Sequence, residues 1–70
     1  MSKKNFLSLN AMDKIMRDSG AERVSDDAKE ALADSLQEEG KRISEEANKL
    51  AKHAGRKTIT SKDILLAIKK

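Results

Sequence analysis

Residues 25–55 read SDDAKEALADSLQEEGKRISEEANKLAKHAG, and their periodicity decides the architecture. Ala28, Leu32, Leu36, Ile43, Ala47, Leu50 and Ala54 recur at helical spacing along one stripe. Ser25 is a good N-cap, and Asp26 and Asp27 place negative charge at the positive end of the helix dipole. Lys49 and Lys52 lie near the opposite end, and Gly55 stands where a C′ glycine closes a helix. The pattern predicts one helix from residue 25 or 26 to 54, about 45 Å long at 1.5 Å per residue. A compact chain of 70 residues is only about 28 Å across. The helix overshoots its own domain, so a second copy crossing it is expected to cover the rest of the stripe. Gly40, near the midpoint, reads as a close-approach point between two such helices, or else as a glycine on the solvent face.

Shorter helices flank the long one. LNAMDKIMRDS, residues 9–19, puts Leu9, Met12, Ile15 and Met16 on one face, with Ser8 or Asn10 as cap and Gly20 as terminator. After Ile59, Thr60 caps a third helix with Asp63 three positions on, in the manner of a capping box. Its stripe is Ile64, Leu65, Ala67 and Ile68. The expectation is an all-α domain over residues 9–70, short helix, long helix, short helix, preceded by a short basic arm at 1–8. Two brief joints, 21–24 and 56–59, connect the helices.

So small a domain buries only roughly 60% of its unfolded surface and usually needs a disulfide, a metal or a partner. There is no Cys and one His, so neither a disulfide nor a structural zinc site can be built. A partner chain is left. No apolar run approaches a membrane span, and MSKKNFLSL lacks the apolar length of a signal peptide. A soluble, cytoplasmic chain with no membrane partner is expected.

Charge is unevenly placed. Residues 25–54 hold five basic against eight acidic side chains, a net of −3, while the remainder carries +6. The long helix is acidic; the short helices and joints are basic. In a dimer of crossed long helices the joints of the two chains can meet, giving separated basic patches along one edge. DNA carries one negative charge per about 1.7 Å of axis and suits such a row. The second joint, GRKTITSKD at 55–63, adds free backbone amides at the helix start to Arg56, Lys57 and the Thr58 hydroxyl, and reads as a phosphate cradle. The plainer alternative is a solvated basic turn with Arg56 pinned by Asp63, and the two are compatible.

GAERVSDDA at 20–28 and LAKHAGRKTI at 50–59 resemble the archaeal histones, and the likeness runs over roughly residues 9–70. Arg56-x-Thr58 followed by Asp63 is similar to the Arg–Thr–Asp signature of that family; both archaeal and bacterial relatives fit. The resemblance implies a histone fold, in which two chains clasp through their long helices and the dimer binds double-stranded DNA along an arc. It implies that Arg23 enters the minor groove. Lys57 and Thr58 would contact the backbone in the second joint, Lys14 and Arg17 would be the basic positions of the first helix, and Arg56–Asp63 an intrachain pair. It further implies that Leu50, His53, Asp63 and Leu66 join dimers into tetramers or longer assemblies, with His53 facing Asp63 of a neighbouring dimer. The bland reading of His53 is an exposed helix-end side chain. Gly20 corresponds to a small residue that would let successive turns of a protein–DNA coil stack.

Ser35, Glu39 and Asn48 are more polar than the family's aliphatic stripe, and Glu39 is expected to reach solvent or Lys41 or Arg42 of the other chain. A heterodimer with a related chain is therefore an alternative to a homodimer. Two functions follow: sequence-independent binding and compaction of DNA on the chromosome, or a pairing module with weak or no DNA binding. An enzyme is not expected. One His, no Cys and no phosphate-binding Gly loop offer little to build a catalytic, metal or cofactor site from, or to hold a small-molecule substrate.

Overall fold

A computed structural model describes residues 6–69, so residues 1–5 of the basic arm and residue 70 lie outside the described residues. Three helices follow one another, α1 (Leu9–Asp18), α2 (Asp26–His53) and α3 (Ser61–Lys69), with no strand among the described residues. At 28 residues, α2 is about 42 Å long.

Helix starts are capped by hydroxyls. Ser8 Oγ accepts from the Ala11 amide and Ser25 Oγ from the Ala28 amide, both at 3.2 Å. Ser25 also donates to Asp27 (2.7 Å), which fixes the hydroxyl in its capping rotamer. Helix ends repeat one device. Gly20 N donates to the Arg17 carbonyl (3.0 Å) and Ala21 N to that of Met16 (3.1 Å). Gly55 N and Arg56 N make the same pair of bonds to Lys52 and Ala51, both 2.9 Å. These are Schellman closures, and they need a left-handed residue at C′. Gly20 and Gly55 have φ of 110° and 74°. A Cβ at Gly55 would meet nothing within 4 Å, so Gly55→Ala introduces backbone strain without a clash. It should cost about 1–2 kcal/mol in urea unfolding, with an unchanged m-value.

The chain divides into two compact units, one ending at Glu38 and one beginning at Glu39. In the first, Met12 and Ala33 are buried, Met16, Val24, Ala28 and Leu32 are half-buried, and Leu9, Ile15 and Leu36 stay exposed. Phe6 N donates to Gln37 Oε1 (2.6 Å), yet the Phe6 side chain is 86% exposed. In the second, Ala47, Ala51 and Ala67 are fully buried, Ile43, Leu50 and Ile64 half-buried, and Leu65, Leu66 and Ile68 exposed.

The helical stripes are therefore centred differently from the sequence expectation. Leu36 and Ala54 are exposed, whereas Ala33 and Ala51, one position off the expected stripe, are buried. No large side chain among the described residues is fully buried. Among the described residues the completely enclosed positions are alanines, Met12 is nearly so, and the large aliphatic groups of Leu and Ile stay partly in water. Glu39 reaches solvent, one of the two outcomes expected of it, and its carboxylate also pairs with Arg42 three positions along the same helix. That partner is local, so it forms whether or not a second chain is present.

Candidate nucleic-acid interface

The second joint is organised around one carboxylate. Asp63 is buried, its side chain 4% exposed, and Arg56 grips it with two parallel bonds, Nη1 to Oδ2 and Nη2 to Oδ1, each 2.9 Å. Two parallel bonds of this kind fix the guanidinium in orientation as well as position. Oδ2 also accepts from the Thr60 amide (2.8 Å) and hydroxyl (3.1 Å), while the Asp63 amide donates to Thr60 Oγ1 (3.4 Å). This is a reciprocal capping box with an arginine added. The Arg56 guanidinium, followed by the Thr60 amide, holds the Asp63 carboxyl well below the usual carboxylate range, and Asp63 in turn raises Arg56. Arg56 Nη1 bonds the Thr58 carbonyl as well (2.9 Å). The turn is thus closed from inside, and Lys57 and Thr58 stand exposed on it.

The first joint has a similar plan. Arg17 Nε bonds Asp13 Oδ2 (2.9 Å) one turn back on α1, and Nη1 bonds the carbonyl of Glu22 (3.1 Å) in the joint. Lys29 Nζ lies 3.7 Å from Asp13 Oδ1 and 3.6 Å from Asp26. The hydrogen bond from Arg17 is the main reason the Asp13 carboxyl sits below its ordinary value, with both cations adding attraction. Arg23 follows Glu22 and is exposed; Lys14 is exposed on α1.

Arg56, Thr58 and Asp63 are thus joined in one network with Lys57 beside them, and Arg17 is tied into the joint that carries Arg23. Leu50 is half-buried, His53 exposed in the last turn of α2, and Leu66 exposed on α3. Both Asp63 oxygens are engaged within the chain, so a His53 of a neighbouring dimer would have to share a carboxylate already held by Arg56 and Thr60. Sequence reasoning does not reach Asp13 and Lys29 as site residues. The i,i+4 spacing of Asp13 and Arg17 is a sequence signal for Asp13, and the i,i+3 spacing of Asp26 and Lys29 one for Lys29, but neither announces the contact between Lys29 and Asp13.

The profile of the family described as histone-like transcription factor (CBF/NF-Y) and archaeal histone matches residues 5–68. The chain belongs to this histone family. One of the subunits of archaeal histone HAN1 from Thermococcus zilligii is 44% identical over 63 residues, covering 90% of this chain and 94% of its own length. Probable archaeal histone 3 of Methanocaldococcus jannaschii is 38% identical over 56 residues, covering 80% of this chain and 84% of its own. The order of a short, a long and a short helix is the histone arrangement that the resemblance implied. Membership in a histone family also makes the chain a non-enzymatic protein.

Proposed function

We propose that this histone binds double-stranded DNA without reading its sequence, and compacts it on the chromosome as dimers and larger assemblies of its 9–70 domain. The observation that carries this reading is the second joint. A buried carboxylate and a bidentate arginine fix its backbone, while Lys57 and Thr58 are left facing solvent. A rigid turn with exposed donors suits phosphate, whose contacts position a protein on the duplex without specifying bases. Arg23 on the first joint and Lys14 on α1 are exposed basic groups of their own unit, with Arg23 suited to the minor groove. The large aliphatic side chains left exposed in the single chain, among them Leu9, Ile15, Leu36 and Leu65, support clasping by a second chain.

The test is binding to several unrelated duplexes across a salt series. Arg23→Ala and Lys57→Ala should each weaken binding about three- to tenfold on every sequence and lower the salt slope by about 0.9 per lost phosphate contact. Unequal losses across sequences would contradict a backbone grip.

A second reading concerns the partner. The Thermococcus zilligii relative is named as one subunit of its histone, which supports a related second chain as the alternative to an identical copy. Sedimentation of the purified chain decides: a stable dimer by itself supports the homodimer, a monomer the heterodimer.

A further inference from the structure

Each joint is held by an arginine doing two jobs at once, Arg56 from within its joint and Arg17 from α1. Arg56 spans the Asp63 carboxylate and the Thr58 carbonyl; Arg17 spans the Asp13 carboxylate and the Glu22 carbonyl. In each, a helix-borne acid orients the guanidinium, and the guanidinium then holds one peptide group of the joint. The two acids come from opposite sides, Asp13 from the helix before its joint and Asp63 from the helix after. We infer that Arg17 is a positioning residue that fixes the first joint for Arg23, with Asp13 as its anchor, and not one of the residues that touch DNA phosphate.

Glu22 O belongs to the peptide bond that leads directly into Arg23. Holding that carbonyl restricts ψ of Glu22 and φ of Arg23, so it limits the directions in which the Arg23 side chain can leave the backbone. The Schellman closure ends at Ala21 and the α2 cap begins at Ser25, which leaves the bond from Arg17 to tie the intervening backbone to a helix. This bond adds to the partial burial of the Val24 side chain in holding residues 22–24 to the helices. Lys29, reaching from α2 to the same Asp13, ties the far side of the joint to α1. Three charged side chains and one carbonyl therefore brace the segment that carries Arg23. Arg23 itself is exposed, as are Lys14 and Lys57, and its side chain stays available for a ligand.

The two roles of Arg17 differ in sign for one substitution. Asp13→Asn removes a negative charge from a surface that faces DNA. If Arg17 were a phosphate contact, that change would free it and tighten binding. If Arg17 positions the joint, the same change loosens its anchor and weakens binding. The consequence for affinity rests on the DNA reading above; the bracing of the joint does not.

The experiment measures duplex affinity and salt slope for the wild type, Asp13→Asn, Arg17→Ala and Arg23→Ala, together with backbone amide NMR spectra of the free proteins. The expected result is a loss of about three- to tenfold for Asp13→Asn despite its gained charge, with the salt slope little changed. Amide signals of residues 22–24 should shift in Asp13→Asn and Arg17→Ala while those of 56–60 stay in place. The loss from Arg17→Ala should largely disappear when Arg23 is already Ala. Tighter binding by Asp13→Asn, or a slope reduced by about 0.9 in Arg17→Ala with no coupling to Arg23, would overturn the inference. If the wild type binds no DNA, the function proposed above falls, and the amides of 22–24 alone decide the bracing: shifts in both variants sustain it and unmoved signals end it.

Discussion

Asp63→Ala is expected to lower the melting temperature by on the order of 10 °C and DNA affinity by about tenfold. The substitution deletes the acceptor for two Arg56 nitrogens, the Thr60 amide and the Thr60 hydroxyl together. The half-exposed Arg56 can turn to water, so the cost falls on the closed turn: the Thr60 cap loses its acceptor, the guanidinium loses its anchor and the space of the buried carboxylate is left empty. The affinity change is the sharper half of the prediction. Losing a negative charge beside Lys57 should tighten binding if only net charge mattered. Weakening would show that the shape of the joint outweighs its charge.

The pH dependence has a definite sign. A carboxylate whose pKa is lower folded than unfolded contributes its full stabilisation above the unfolded value, about 4, and loses it as pH falls below. The Asp63 carboxyl is held far down by Arg56, so the stability gap between wild type and Asp63→Asn should be constant from about pH 5 to 8 and narrow under more acid conditions. Thermal melts from pH 2 to 8 read it directly. A gap unchanged down to pH 2 would show that hydrogen-bonded shape, not ionisation, carries the stabilisation.

How much of this was legible in the sequence depended on whether the signal was local. Ser8, Ser25, Thr60, Gly20 and Gly55 mark the helix ends because capping hydroxyls and left-handed glycines act within a turn of where they stand. Thr60 and Asp63 announce their box by spacing alone. Arg56 and Asp63 are seven residues apart across a turn; their opposite charges raised the pairing as one alternative, and the family likeness then singled it out. The centre of each buried face was not legible. Ala33 and Ala51 carry too little apolar signal to compete with nearby Leu36 and Leu50, although smallness is what lets a residue be wholly enclosed by one short chain. The Arg17 tie was hidden for another reason: its second acceptor is a main-chain carbonyl, which every residue possesses. Glu39 shows the limit from the other side. Its place beside the stripe left solvent or an intermolecular partner open, and it stands exposed with Arg42 of its own helix beside it.

The double variant Leu50→Glu, Leu66→Glu should leave a dimer-sized particle that binds short duplexes normally and forms no tetramers or longer arrays. Within the single chain the change is mild. Leu66 is exposed on α3 and Leu50 only half-buried, so little internal packing is lost. The new carboxylate on α2 would stand one turn after Glu46, a like-charge spacing that costs at most about 0.5 kcal/mol. Across an interface between dimers the cost multiplies. A two-fold contact uses the same patch on both sides, so each new carboxylate is present twice and faces an apolar surface or its own symmetry mate. At several kcal/mol for each desolvated, unpaired charge, and tenfold in affinity per 1.4 kcal/mol, the association should weaken by a factor on the order of 1,000 or more. Sedimentation of the free protein reads the dimer. Nuclease protection on long mixed-sequence DNA reads the assembly: a ladder growing by a constant step for the wild type would reduce to the shortest protected length in the double variant. Leu50→Ala with Leu66→Ala serves as the control, since it removes packing without adding charge and should give an intermediate ladder. If the double glutamate variant instead loses the dimer itself, then Leu50 and Leu66 belong to the surface that clasps two chains. The contact that extends the assembly would then have to be sought among the remaining exposed groups of α3, Leu65 and Ile68.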